Sequence, residues 1–277
     1  REHGKLQRQA AHRKAQHEFL SELSMLIPSH CRPVVVADSG FRTPLYRYVE
    51  KELGWHWIGR IRSRDFICFD AARSQWIGAK TLYSQATAKP KDLGLIAWVR
   101  HNPLPSRLVL IRQPRKRRQD LTYSGTKRKS KRSNSHASRE REPWLIVGSL
   151  SLTGCTAKQL VDLYRRRMQI EEGFRDCKAT HYGFGLTQQS KMSPDRRAVL
   201  CLLATLAQFV LWCVGTAGQN TTYARQLRVN SSSKRPAYSA IFMGRLLARK
   251  KKLRLPDKEL LKSINAIPIN ADAALCC

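Results

Sequence analysis

Pro33-Val-Val-Val-Ala-Asp38 is an unbroken apolar run that ends on a carboxylate, and Ser39-Gly40 follows it. Strands that lie on a solvated surface alternate apolar and polar residues. A run without alternation reads as a central parallel strand covered on both faces. Ser39-Gly40 supplies the turn, and Thr43 is placed to cap a helix running to about Leu53, closed by Gly54. Trp55-His-Trp-Ile-Gly-Arg-Ile61 then alternates and reads as the next strand. Together these segments make a β-α-β unit inside an α/β domain.

Working outward, residues 5–26 read as a helix, with Leu6, Ala10, Phe19, Leu20, Leu23 and Leu26 among charges, ended by Pro28 and Pro33. Downstream, Phe66–Phe69, Gly94–Val99 and Arg107–Ile111 are short β-like pieces separated by polar connections, which suggests an antiparallel β subdomain. Residues 113–141 carry 11 Lys/Arg against 2 acids and are rich in Ser, Thr and Gly, the composition of a solvated loop that can still grip phosphates. Pro143–Gly148 reads as a strand, and Thr156 as the cap of a long helix reaching Lys178. Ala198–Val214 is apolar over 17 residues, the short edge of what spans a membrane; a helix buried all round is the favoured reading. Residues 236–254 form a basic amphipathic helix with Arg245, Arg249, Lys250, Lys251, Lys252 and Arg254.

The 277 residues hold 51 Lys+Arg against 20 Asp+Glu, a formal net charge of +31. That excess is far beyond what solubility needs and points to a polyanion, because each neutralised phosphate releases a condensed counterion. A basic structural or ribosome-associated protein satisfies the same number. Six of the eight cysteines are scattered singly without a C-x-x-C pair, which argues for reduced thiols rather than a zinc site; Cys276 and Cys277 are adjacent at the end. Arg1 onward is charged and does not read as a secretory signal.

The helix from Thr156 carries the most chemistry. At 100° per residue, Tyr164, Arg167, Glu171 and Lys178 fall within a stripe roughly 60° wide. Leu163, Ile170, Phe174 and Cys177 lie beside it as the apolar face, which sets Glu171 at the margin of the core. Periodicity alone leaves an ordinary amphipathic helix with an Arg167–Glu171 ion pair equally open.

The spacing Tyr164-x2-Arg167-x3-Glu171-x6-Lys178 resembles the Y-R-E-K signature of cut-and-paste transposases of the insertion-sequence-four family. The run Tyr164–Lys178, followed by Tyr182-Gly-Phe-Gly-Leu186, is especially similar to the insertion-sequence-ten (transposon-ten) type. Val34–Arg42 and Glu142-Pro-Trp144 also resemble that family, and the likeness runs from about residue 10 to 215. It implies an α/β, RNase H-like (retroviral-integrase-like) core with an Asp-Asp-Glu triad and two Mg²⁺ ions, Mn²⁺ being a plausible substitute. Asp38 matches the second Asp and Glu171 the Glu, and both would hold metal. The 133 positions from one to the other leave room for an inserted β subdomain. Tyr164, Arg167 and Lys178 would contact DNA phosphates. Trp144 would stack a flipped base, a reading that stands level with a plain core tryptophan.

No Asp precedes Asp38, so the first catalytic Asp is not among these residues. The expectation is a core incomplete at its N-terminus, with Val34–Ala37 left at an exposed edge, and a chain that does not cleave DNA alone. The expected divisions are 1–63 (partial core), 64–150 (β-rich insertion with the loop 113–141), 151–217 (catalytic and buried helices) and 218–277 (basic helical region). Double-stranded DNA is the expected partner, a homodimer the expected assembly, and the bacterial cytoplasm and nucleoid the expected location, with no membrane. The alternative is a non-catalytic, basic DNA-binding remnant that competes for transposon ends or joins a full-length partner.

Overall fold

In the computed structural model, Val34–Val36 (β1) and His56–Ile61 (β2) pair in parallel, Val34 opposite His56 and Val36 opposite Ile58. Helix α2 (Thr43–Lys51) connects them, so the β-α-β unit read from the sequence is present. The structure describes residues 2–114, 124, 126, 129–131, 134, 142–178, 185, 192–219, 221, 238–249 and 255–273. Apart from isolated positions, the basic tract 113–141 lies outside the described residues, as do Lys250, Lys251, Lys252, Arg254, Tyr182 and Leu186.

Five further strands complete one sheet: β3 (Phe66–Cys68), β4 (Ile77–Gly78), β5 (Lys91–Trp98), β6 (Leu104–Ile111) and β7 (Trp144–Gly148). Among the described residues its order is β1-β2-β7-β6-β5-β3-β4, antiparallel everywhere except β1–β2. The antiparallel strands are thus continuous with the parallel pair through β7.

Among the described residues β1 is an edge strand, as expected for Val34–Ala37, and not the central strand that its unbroken apolar run suggests by itself; all three of its residues are only half-buried. The physical reason is that a run without alternation reports cover on two faces, not neighbours on two edges. Val35 packs into the cluster containing Trp57 and Ile61, while Val34 and Val36 pack into the one containing Ile58 and Ile146. His56 N donates to Pro33 O at 3.0 Å and Ala37 N to Ile58 O at 2.9 Å. By alternation, the backbone groups of Val34 and Val36 face the open edge.

The sheet buries both faces. Trp57, Ile61, Leu108, Leu110, Leu145 and Val147 turn to one side, with Tyr46 and Val49 of α2 and Leu20 of helix α1 (Glu2–Leu26). Ile58, Val109, Ile111 and Ile146 turn to the other, beneath Leu160, Val161 and Tyr164 of helix α3 (Ala157–Lys178). α2 starts differently from the reading of Thr43 as a cap. Thr43 is itself helical, Pro44 sits in the first turn, and Arg42 at the cap makes no side-chain cap bond. Proline's fixed φ and missing N–H suit that first turn without help from a cap. Gly54, at φ +64°, follows the helix.

The start of α3 is secured twice. Thr156 Oγ1 accepts the Gln159 N–H at 3.2 Å, and Gln159 Oε1 accepts the Thr156 N–H at 2.7 Å, a reciprocal capping box. Arg107 of β6, buried beneath the preceding turn, donates Nη1–H groups to the carbonyls of Leu152 (3.1 Å), Thr153 (3.2 Å) and Cys155, while Asp92 of β5 pairs with its other side. A turn that would leave several carbonyls unsatisfied is thereby tied to the middle of the sheet.

The chain divides into two compact units, Arg1–Arg167 and Met168–Cys276. In the second, α4 (Pro194–Gln219) packs on α5 (Ala240–Arg249) and α6 (Asp257–Ala273). α4 and α5 cross where Gly215 and Gly244 meet: a Cβ on Gly215 would stand 2.8 Å from the Gly244 nitrogen. Ser263 Oγ of α6 donates to Cys213 O at 3.1 Å.

Two apolar expectations fail in this unit. α4 is not buried all round: Leu202, Leu203, Leu206, Phe209 and Val210 are each more than half exposed, because α5 and α6 cover only the side carrying Ala204, Cys213, Ala217 and Gly218. Its length and composition are those of a membrane-spanning helix, by those criteria only. On α3, Ile170 and Phe174 are also exposed.

Candidate active site

Asp38 stands just past the carboxyl end of β1, half-buried, where the chain leaves the sheet. Its Oδ1 accepts the Gly40 N–H at 2.8 Å, and its carbonyl accepts the Phe41 N–H at 3.2 Å. That tight turn fixes one carboxylate oxygen against the backbone. In open α/β sheets, functional groups gather outside such strand ends.

The floor beside it is aromatic and cationic. Tyr46 is fully buried and its phenol closes on Gly59 of β2, where an added Cβ would stand 2.7 Å from Cζ. Burial, with the nearby Tyr164 and Asp38 adding to it, pushes the Tyr46 phenol far above its ordinary range. Tyr164, also buried, has its phenol raised by burial, while Arg167 and Arg60 pull it back. Trp144 opens β7 half-buried and meets the Tyr164 ring edge-on, centroids 5.2 Å apart at 77°. Arg60 of β2 lies over the Trp144 ring at 5.6 Å, and Arg167 is 6.0 Å from the Tyr164 ring. Around this group Arg62 Nε pairs with Glu142 at 3.1 Å, and Arg42 with Asp65 at 2.9 Å.

The first unit therefore brings together Trp144, Tyr164 and Arg167, with Asp38 close enough to act on both buried phenols. Glu171 and Lys178 stand on the same continuous α3 in the second unit. Both are exposed, and Lys178 Nζ is 5.5 Å from the Phe174 ring. Sequence reasoning missed Arg60. Its signal was a charge on the inward side of an alternating strand, at the position after Gly59.

With a carboxylate at a strand end and a cation–aromatic group below a capped helix, comparison with protein families becomes decisive. The family model for the transposase DDE domain matches residues 6–209, from α1 through most of α4. The chain belongs to that family. No curated protein matches the sequence. A DDE transposase domain acts on DNA and uses divalent metal ions, and the mixed seven-stranded α/β architecture is compatible with it. The second oxygen of Asp38 is the hard donor that Mg²⁺ prefers. Among the described residues of this transposase domain, however, no three His, Cys, Asp or Glu side chains gather to hold an ion. Asp38 suits such an ion in kind, but the described residues do not form a complete site.

Proposed function

We propose that this chain is the catalytic region of a cut-and-paste transposase of the insertion-sequence-four type, most like the insertion-sequence-ten branch. The observation that carries the reading is the continuous helix α3. It is capped at Thr156, bears Tyr164, Arg167, Glu171 and Lys178 on one stripe, and sits in a transposase domain whose strand-end carboxylate is Asp38. In this reading the core is RNase H-like, with residues 64–150 as an insertion and 218–277 as a basic helical region. Asp38 and Glu171 hold Mg²⁺, while Tyr164, Arg167 and Lys178 grip phosphates near the cleaved end through charge and fork geometry. Trp144 stacks an extruded base, in keeping with its half-buried place at the start of β7. The protein acts on transposon-end and target DNA as a homodimer in a bacterial cytoplasm, associated with the nucleoid.

No Asp precedes Asp38 in the sequence, and among the described residues no three His, Cys, Asp or Glu side chains gather. We therefore propose that these 277 residues bind DNA without cutting it, which keeps a non-catalytic DNA-binding role as the second reading. The test has two parts. Mn²⁺ binding followed by electron paramagnetic resonance should weaken in both Asp38→Asn and Glu171→Gln; binding unaffected by either change would overturn their role as ligands. Duplex DNA should be bound but not nicked in Mg²⁺. Nicking that Asp38→Asn abolishes would overturn the proposed inactivity.

A further inference from the structure

Arg60 occupies an inward position of β2, two residues beyond Ile58; Asp38 lies two residues beyond Val36, the partner of Ile58 across the parallel pair. The ends of both strands therefore carry a charged residue at the same level of the sheet. The Nε and Nη2 atoms of Arg60 are enclosed, yet neither has a hydrogen-bond partner among the described residues. Those two N–H groups lie on one side of the guanidinium and form the parallel fork that receives two oxygens of a phosphate or carboxylate.

Two neighbouring acids of the first unit are engaged by other arginines, and Asp38 has one oxygen held by the backbone. Glu142 accepts from Arg62 Nε, Asp65 accepts from Arg42 Nη1 and the Arg62 N–H, and Asp38 Oδ1 accepts from the Gly40 N–H. Burial works against the charge of Arg60, with only the fields of Tyr164, Tyr83 and Glu142 in its favour. Its guanidinium lies over the Trp144 ring at 5.6 Å. A half-buried cation whose enclosed fork is unfilled has an anion to gain.

We infer that Arg60 is a further DNA-contacting residue of this site: its Nε/Nη2 fork closes on a backbone phosphate once the Trp144 indole turns aside. The indole covers the guanidinium in the DNA-free protein, and a base stacking on Trp144 draws that cover away. Uncovering the fork and engaging the indole are one event. This rests on the proposed reading of the Asp38–Tyr164 region as the site that handles DNA.

The experiment follows the Nε–H resonance of Arg60 in the ¹⁵N-arginine-labelled chain, assigned by its loss in Arg60→Lys, beside the Trp144 indole N–H. The titrant is a duplex oligonucleotide with unpaired 3′ nucleotides, with inorganic phosphate as the control for a small-anion site. The expected result is that DNA moves both resonances. Arg60→Gln should lower affinity about tenfold at low salt and reduce the log–log salt slope by about one phosphate. Arg60→Lys should recover only part of the affinity. Three outcomes overturn the inference: DNA moves the indole but not Arg60 Nε–H; the salt slope of Arg60→Gln is unchanged; or inorganic phosphate alone reproduces the shift. If DNA binds and neither resonance moves, the reading of the region as the DNA-handling site falls as well.

Discussion

Two buried side chains set the residue-scale energetics, and they do so in opposite senses. The Tyr46 hydroxyl is enclosed with no hydrogen-bond partner among the described residues, so it carries a desolvation cost that no hydrogen bond among them offsets. Tyr46→Phe keeps the ring over Gly59 and the tilted contact with Trp57 at 4.5 Å, and removes that cost. It should leave the protein as stable or more stable by about 1 kcal/mol, read as an unchanged or higher unfolding midpoint in urea. A clear drop would mean that the hydroxyl has a partner. Arg107 is the reverse case, because truncating it strands three carbonyls and the Asp92 carboxylate together. Arg107→Ala should cost about 3 kcal/mol, and a loss under 1 kcal/mol would show that the turn before α3 is held by other means. The hydrogen bond from Arg107 holds the Asp92 carboxyl below its ordinary range, with burial opposing. A depressed folded value adds stability above the unfolded pKa, about 3.9, and loses it as pH falls through the folded value. Asp92→Asn should therefore melt below the parent at pH 7, and the gap should close below about pH 4. A gap that persists in acid would contradict this assignment.

At the scale of elements, sequence and structure agree where a local signal decides the outcome and part where distant cover decides it. The capping box at Thr156, the β-α-β unit and the strand at Trp144–Gly148 are set within a few residues, and each is found where the pattern places it. The apolar run Val34–Val36 alone points to a central strand because its faces say nothing about its free edge; the edge position follows instead from the absence of the first Asp strand, and it is the one found among the described residues. Leu202, Leu206 and Phe209 were misread as buried because an apolar helix does not reveal how many of its sides will be covered. In the candidate site, the α3 stripe and Asp38 were legible as a pattern. Arg60 was not, because its role depends on which acids its neighbours have already engaged. The α4–α5 crossing is a further contact that no short window shows. Gly244 faces the Leu211 backbone so closely that a Cβ there would stand 2.8 Å from its carbonyl carbon. Gly244→Val should push the helices apart and lower the melting temperature by several degrees, whereas Gly154→Ala, with nothing within 4 Å of the added carbon, should not. Equal melting curves for the two variants would rule out the close crossing.

For the whole molecule, the net charge of +31 is the largest single quantity, and much of it is concentrated in the tract 113–141 with its 11 Lys/Arg. The strands flanking that tract show that the sheet does not depend on its length. Ile111 at the end of β6 lies directly opposite Trp144 at the start of β7, so a short turn can join them while Glu142 remains available to Arg62. Replacing residues 115–141 with a Gly-Ser-Gly linker should leave the unfolding transition within a few degrees of the parent. DNA affinity should respond quite differently. Each phosphate neutralised contributes about −0.9 to the slope of log K against log salt on duplex DNA. A tract that grips phosphates should therefore reduce the magnitude of the slope by several units when it is removed, with the largest loss of affinity at low salt. The same deletion leaves Asp38, Tyr164 and Arg167 in place, so Mn²⁺ binding should be retained. An unchanged slope would assign the polyanion contact to the folded units instead. Loss of metal binding together with DNA binding would mean that the tract supports the site rather than the grip.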